Sequence, residues 1–259
     1  MRRLVALCCL ALVVSHAVAA DQLINIAGAR TTGPISYWWM PREGAEATLL
    51  LISGGAGGMG FDGVEPRSDN FLVRTRELFA AQHFNVAVLG LASDMRNLTQ
   101  NARASLEHAQ DVLAVVKAIE QGSKQPLWLV GTSLGTVSAS SAAILDQGQT
   151  VAGVVLSSGF HPAFLKLRSG PRGTEGVAAI KVPVLVYHHK LDGCRATPAY
   201  SVSDIVSDLT AAPVKKLMLV EGGGPPSGDP CEPRGFHGFV GMEARAVEDI
   251  SGWIKRPVP

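Results

Sequence analysis

Residues 127–143 have the sequence LWLVGTSLGTVSASSAA. The opening apolar run is typical of a buried strand, and the small residues at its end suit a tightly packed helix. The G-x-S-x-G pattern between them, Gly131 to Gly135, is the strand-to-helix turn that exposes a serine hydroxyl on a sharp corner. Side chains at Gly131 and Gly135 would collide with the adjoining strand and helix, which is why glycine fits there. The stretch predicts that Ser133 is a nucleophile; the alternative is a glycine-rich turn with an inert serine.

Strand and helix patterns alternate along the rest of the chain. The predicted strands are residues 23–27, 35–39, 48–53, 85–90, 127–130, 152–157, 184–188 and 216–220. Most of the later ones are continuous apolar runs, as expected for strands covered on both faces. Apolar residues recur at a helical spacing within residues 106–122, which predicts a helix there. Weaker helical patterns cover residues 70–81, 198–209 and 242–254. Alternation of this kind predicts a single α/β domain with a mainly parallel, eight-stranded sheet and helices on both faces.

The first twenty residues form a different kind of sequence. Arg2 and Arg3 precede an apolar core, residues 4–14, and a small-residue region, residues 17–20. This is the pattern of a secretory signal peptide. We expect residues 1–20 to be removed, with a mature start at Ala19 as the alternative, and residues 21–259 to form the exported domain, periplasmic or secreted. The apolar run is shorter than the roughly 20 residues that cross a bilayer, so we expect no stable membrane anchor.

Loss of that segment changes the charge balance. The full chain has 23 basic and 22 acidic residues, and removal of Arg2 and Arg3 leaves 21 against 22, a net charge of −1. A nearly neutral domain does not favour a nucleic acid or an anionic membrane as partner. The expected partner is a small molecule.

The mature chain keeps two cysteines, Cys194 and Cys231, because Cys8 and Cys9 lie in the predicted leader. An even number of cysteines in an exported protein predicts a disulfide between them. Two free, buried thiols are the alternative.

A glycine-rich segment, GGAGGMG at residues 54–60, follows the predicted strand 48–53. It suits an oxyanion hole, in which a backbone N–H from Gly55 or Ala56 acts together with the N–H of Leu134. We take Leu134 and Gly55 as the expected donors. A phosphate-binding loop fits less well, because the segment has neither a G-K-[ST] ending nor a G-x-G-x-x-G helix entry. A flexible connection without a function is the remaining alternative.

Asp192 follows the predicted strand 184–188 and is the expected acid. In parallel sheets the catalytic residues usually lie at the carboxyl ends of the strands, and an acid at this place can orient a histidine. Asp192-Gly193 is also an ordinary turn dipeptide, and Asp94 and Asp229 are the substitutes to consider.

His237 lies between the last predicted strand and the final helix, where a histidine can reach over the sheet to Ser133. His83, His108, His161, His188 and His189 are weaker candidates for the base. The sequence has no H-E-x-x-H motif and no Cys/His cluster, so no metal and no other cofactor is expected.

The chain order Ser133, Asp192, His237 resembles that of the α/β-hydrolase family, and the resemblance extends along most of the mature length. It implies a Ser-His-Asp hydrolase with an acyl-enzyme intermediate. Two departures are visible: Ser53-Gly54 stands where lipases and esterases commonly have His-Gly, and residues 160–181 are too few for a large lid domain.

The function expected from these features is cleavage of an ester-type bond of a small substrate by a carboxylesterase-like serine hydrolase. Thioesters, amides and lactones are alternative substrate classes, and the sequence does not determine the oligomeric state. The aromatic residues near the strand ends and Met59 suggest an apolar substrate pocket, although such residues are more often packing: Phe61, Phe160, Phe164 and Phe236. The alternative is an exported protein of the same fold that binds a ligand or partner without turnover.

Overall fold

The computed structural model describes residues 20–29 and 33–259. The predicted signal peptide, with Cys8 and Cys9, therefore lies outside the described residues except for Ala20. Within the described part of the chain no helix is long and apolar enough to cross a membrane.

Eight strands form one sheet in the order β1-β2-β4-β3-β5-β6-β9-β10. Their bounds are β1 Gln22–Ala27, β2 Pro34–Met40, β3 Ala47–Ile52, β4 Phe84–Ala92, β5 Leu127–Thr132, β6 Val151–Ser157, β9 Val184–His189 and β10 Lys215–Val220. The pairs β1-β2 and β2-β4 are antiparallel and the remaining pairs are parallel. The predicted mainly parallel, eight-stranded sheet is confirmed, with each predicted strand within two residues of its observed ends.

Helices cover both faces of this sheet. They are α1 Phe71–Arg74, α2 Arg76–Ala81, α3 Gln100–Arg103, α4 Leu106–Gly122, α5 Gly135–Asp146, α6 Val202–Asp208 and α7 Glu243–Lys255. Alternate residues of β3 belong to different cores. Leu50 belongs to the core that contains residues of α4, α5 and α6, and Leu49 to the core that contains residues of α1, α2 and α7. Because successive strand side chains point to opposite faces, a continuous apolar run supplies both cores at once.

One predicted helix is divided. The pattern over residues 70–81 predicts a single helix, but the structure has α1 and α2 separated at Thr75. The Thr75 hydroxyl donates to the carbonyl of Phe71, four residues earlier, at 2.7 Å. A threonine hydroxyl that bonds back to this carbonyl competes with the helical backbone and bends the helix. The pattern over residues 198–209 is likewise shortened to α6 after a 3-10 turn, Ala199–Ser201.

The chain between β6 and β9 contains a small hairpin that is absent from the predicted strands, β7 Lys166–Gly170 and β8 Gly173–Gly176. It packs against α4 and α5. Short 3-10 turns flank it at Pro162–Phe164 and Val177–Ala179. The described residues of this connection hold no lid domain, as expected from its length.

Candidate active site

Ser133 lies on the turn between β5 and α5, at the carboxyl edge of the sheet. Its φ of +53° is in the left-handed region, which is uncommon for a residue with a side chain. The Ser133 N–H donates to the carbonyl of Ser157 at 3.0 Å, which fixes the turn to the end of β6. The carbonyl of Ser133 accepts the N–H of Thr136 at 2.9 Å as α5 begins. This is the strained strand-to-helix geometry that the G-x-S-x-G pattern predicts.

Three glycines let the backbone segments at this turn approach one another. A Cβ atom at Gly131 would meet the carbonyl of Gly135, and one at Gly135 would meet the carbonyl of Ile52 at the end of β3. A Cβ atom at Gly54 would lie 2.7 Å from the Cβ atom of Ser133. The glycine-rich segment therefore passes directly beside the serine.

Asp192 and His237 are in direct contact, although 45 residues separate them in the chain. The Nδ1 atom of His237 lies 2.9 Å from Oδ2 of Asp192, and both residues are buried. Asp192 follows β9, and His237 lies in a 3-10 turn, Phe236–Gly238, before α7. Of the three acids considered from the sequence, Asp192 is the one whose carboxylate contacts this ring; Asp229 instead accepts the N–H of Cys231.

Other groups hold the Asp192 carboxylate in place. Its Oδ1 atom accepts the N–H of Cys194 at 2.9 Å, and its Oδ2 atom accepts the Thr197 hydroxyl at 3.3 Å. Nε2 of His188 lies 3.3 Å from Oδ2, but without the direction of a hydrogen bond. Burial alone would raise the pKa of Asp192, yet the two histidines and the Cys194 N–H together hold that pKa well below its usual range. The carboxylate is therefore ionised at neutral pH.

His237 is also fixed through its backbone. The Ser158 hydroxyl donates to the carbonyl of His237 at 2.8 Å. A Cβ atom at Gly238 would meet the carbonyl of Pro233, so the chain after His237 passes close to the loop before it. Ser158 and Thr197 both support the site, and no sequence motif marks either of them.

The predicted disulfide between Cys194 and Cys231 is confirmed. Cys194 is two residues after Asp192, and Cys231 is six residues before His237. The bond therefore joins the loop that carries the acid to the loop that carries the histidine.

We expect the double variant Cys194→Ser/Cys231→Ser to lose about 4 kcal/mol of unfolding free energy, because the bond closes a loop with a sequence separation of 37 residues. Urea unfolding of the oxidised protein and of the variant measures the change. Wild type treated with a reducing agent is the control and should lose a similar amount. Equal unfolding midpoints for all three samples would contradict a stabilising role.

Ser133 and His237 line the same cavity, whose volume is about 260 Å³. Its wall is formed by residues 53–57, 68–71, 132–133, 231–233 and 237–238. The five residues expected to form an apolar pocket do not line it, and the aromatic ring that does is that of Phe71. That expectation is wrong for this cavity, because Met59 and Phe160 are buried in the two cores and Phe61 packs on Trp38.

The N–H groups of Leu134, Gly55 and Ala56 make no hydrogen bond to another group within the described ranges, 20–29 and 33–259. Gly55 and Ala56 line the cavity, and Leu134 directly follows Ser133. Donors that stay unpaired beside a nucleophile are what an oxyanion hole requires.

Of the other candidate histidines, His188 lies against Asp192, as described above, and two contact groups that do not line the Ser133 cavity. His189 stacks on Phe236 and its Nε2 atom lies 3.0 Å from the carbonyl of Gly222, while His161 accepts the N–H of Ala163. His108 is buried in α4. Among the residues that the structure describes, no three His, Cys, Asp or Glu side chains are grouped to hold a metal ion.

The sequence matches no protein-family model and no curated protein. Solved structures do resemble this one. Dienelactone hydrolase from Anabaena variabilis aligns over 92% of this chain and 99% of its own, with a TM-score of 0.61 and 16% identity. A cold-adapted esterase from an Arctic intertidal metagenomic library aligns over 92% and 94%, with a TM-score of 0.61 and 14% identity.

A third similar structure is a serine hydrolase without a lid from Xanthomonas campestris. It aligns over 91% of this chain and 92% of its own, with a TM-score of 0.54 and 14% identity. At these identities the likeness concerns the fold. The chain has an α/β-hydrolase fold, and proteins of this fold include esterases and other serine hydrolases.

Proposed function

We propose that this protein is a serine hydrolase that cleaves an ester-type bond of a small substrate through Ser133, His237 and Asp192. The proposal is supported by the position of His237, which lines the cavity of Ser133 and contacts Asp192. Ser133 and His237 share a cavity, and the far nitrogen of His237 lies 2.9 Å from the carboxylate of Asp192.

The proposed reaction begins when Oγ of Ser133 attacks the ester carbonyl carbon and Nε2 of His237 takes the hydroxyl proton. Asp192 keeps the proton of Nδ1 in place and stabilises the imidazolium that forms. The N–H of Leu134 and one N–H of the glycine-rich segment, that of Gly55 or Ala56, bind the carbonyl oxygen as it becomes negative. His237 then gives the proton to the leaving alcohol, and an acyl group remains on Ser133.

Water completes the cycle. His237 takes a proton from a water molecule, the resulting hydroxide attacks the acyl carbon, and the acid leaves as Ser133 regains its proton. This chemistry needs no metal or other cofactor.

The test is covalent labelling combined with an ester panel. The purified protein is treated with a fluorophosphonate, and the adduct is located by peptide mass spectrometry. The panel contains short-chain nitrophenyl esters, a monoglyceride and a dienelactone, since structures of this fold include an esterase, a monoglyceride lipase and a dienelactone hydrolase. Adduct on Ser133 with turnover of a panel member supports the proposal. Absence of both overturns it and favours a binding protein.

We also propose that the protein is exported and that residues 21–259 are its mature form. The disulfide supports an oxidising compartment. Expression with the native leader, followed by N-terminal sequencing, should give a chain that starts at Asp21. An intact Met1 in the purified protein would contradict export by cleavage.

A further inference from the structure

A fully buried arginine lies behind the glycine-rich segment. Arg103, on α3, has no exposed surface. No carboxylate of the described residues is within ion-pair distance of its guanidinium, and burial lowers its pKa to about 10. A buried cation without an anionic partner is costly, so the groups that it does contact are informative.

The guanidinium makes three hydrogen bonds, each with a different part of the site's framework. Nη2 donates to the carbonyl of Gly55 at 3.2 Å, and Nη1 donates to the hydroxyl of Ser138 on α5 at 2.9 Å. Nε donates to the carbonyl of Leu98 at 3.3 Å. Arg103 therefore connects the glycine-rich segment to the helix that follows Ser133.

The contact with Gly55 fixes a peptide plane. The peptide bond between Gly55 and Ala56 is trans, because the cis bond of the described chain is Gly224-Pro225. In a planar trans peptide the C=O and the N–H point in opposite directions. Since the Gly55 carbonyl points to Arg103, the Ala56 N–H points away from it.

Gly55 and Ala56 both line the cavity that holds Ser133, whereas Arg103 does not. We infer from this lining that the cavity lies on the side of the peptide opposite Arg103. The neighbouring carbonyls are also engaged, since that of Ala56 accepts the N–H of Leu98 at 2.7 Å and that of Gly54 accepts the N–H of Gly57 at 3.0 Å. The carbonyls of this segment are bonded, whereas the N–H groups of Gly55 and Ala56 are both unpaired within the described residues. The Ala56 N–H belongs to the peptide whose carbonyl Arg103 holds.

We propose that Arg103 is a positioning residue, which turns the Gly55-Ala56 peptide so that the Ala56 N–H, rather than that of Gly55, completes the oxyanion hole with Leu134. A cation on the carbonyl end of this peptide also polarises its N–H and strengthens it as a donor. The inference rests on the proposed function, and the experiment below begins by measuring wild-type turnover.

The first test is Arg103→Met, which keeps the length of the side chain but removes the cation and its donors. We expect kcat to fall about 10- to 100-fold, with KM changed less than threefold. The reason is that a misplaced donor stabilises the oxyanion of the transition state less well but contributes little to binding of the substrate. The affinity for a trifluoromethyl ketone, which forms an oxyanion adduct on serine, should fall by a similar factor. The affinity for the methyl ketone of equal chain length should not change.

Ser141→Ala is the matched control. The Ser141 hydroxyl donates to the backbone carbonyl of Arg103 at 2.8 Å, so this variant removes one hydrogen bond to the same residue but leaves the three contacts of its guanidinium in place. Its kcat should stay at the wild-type value. Arg103→Lys retains the charge and one donor to the Gly55 carbonyl, so it should recover part of the kcat lost in Arg103→Met.

A backbone change tests the donor itself and does not depend on the folding of Arg103→Met. Incorporation of lactic acid at position 56 replaces the Ala56 N–H by an ester oxygen, and glycolic acid at position 55 does the same to the Gly55 N–H. We expect the change at 56 to lower kcat at least tenfold more than the change at 55.

A larger loss at position 55 would overturn the inference, as would an Arg103→Met protein with wild-type kcat and inhibitor affinity. Both results leave the proposed function in place. A wild-type protein without turnover or labelling would instead overturn the proposed function, and this inference with it.

Discussion

Replacement of Ser133 by alanine is expected to lower kcat for ester hydrolysis by about a million-fold and to abolish fluorophosphonate labelling. The reason is that the variant keeps the turn, the histidine and the acid but lacks the oxygen that would form the acyl bond. Alanine is smaller than serine, so the fold should be unaffected. Steady-state hydrolysis of the best panel ester and mass spectrometry of the labelled protein measure both effects.

Ser140→Ala is the matched control for this variant. Ser140 lies on α5, seven residues after Ser133, and its buried hydroxyl has no hydrogen-bond partner in the described chain. The same chemical change at this position should leave kcat and labelling intact. A Ser133→Ala protein that retained wild-type turnover would show that the nucleophile lies elsewhere.

Asp192→Asn is expected to have the next largest effect, a loss of about 10⁴-fold in kcat. The side chain keeps its size, but the amide nitrogen cannot accept a hydrogen bond from His237, and an amide oxygen at this place carries no full charge to stabilise the imidazolium. Turnover and fluorophosphonate labelling rates measure the loss. The two should fall together, because both need His237 to activate Ser133.

Asp146→Asn is the control for Asp192→Asn. Asp146 is a buried carboxylate at the end of α5 that accepts the N–H groups of Thr150 and Val151, away from the cavity. Its replacement should lower stability but leave kcat unchanged. Similar turnover in the two variants would argue against a role of Asp192 in the reaction.

Asp192 also predicts how stability depends on pH. Its pKa in the folded protein is held below the ordinary value of about 4 for an unfolded chain, so the folded state favours the ionised form. The resulting stabilisation is fully present above pH 4 and is lost as the pH falls below it. Urea unfolding from pH 7 down to pH 3 should therefore show a smaller acid-induced loss in Asp192→Asn than in wild type. Parallel curves would contradict this assignment.

The sequence was sufficient for the sheet and for the turn at Ser133, because both depend on local patterns. The apolar runs of β3 and β5 and the glycines at 131 and 135 are readable without knowledge of contacts. The division of α1 from α2 was not predicted, because it depends on the Thr75 hydroxyl, which donates to the backbone carbonyl of Phe71 instead of to solvent.

The surroundings of the site could not be predicted either. His188 and Thr197 are only four and five residues from Asp192, but their contacts with its carboxylate depend on how the chain turns after β9. Arg103 reaches Gly55 across 48 residues of sequence. Nothing in the spacing of these residues marks them. The aromatic residues near the strand ends were misleading for a related reason: proximity in sequence to a strand end does not determine whether a ring faces a cavity or a core.

The short connection between β6 and β9 has a kinetic consequence. Its hairpin packs on the side of α4 and α5, and the residues that line the cavity do not include it. On the proposed function, a dissolved substrate would reach Ser133 without displacing this hairpin, and product would leave without displacing it. Turnover would then be limited by the chemical steps and by diffusional encounter with the substrate. The rate would not increase when the substrate forms an oil–water interface.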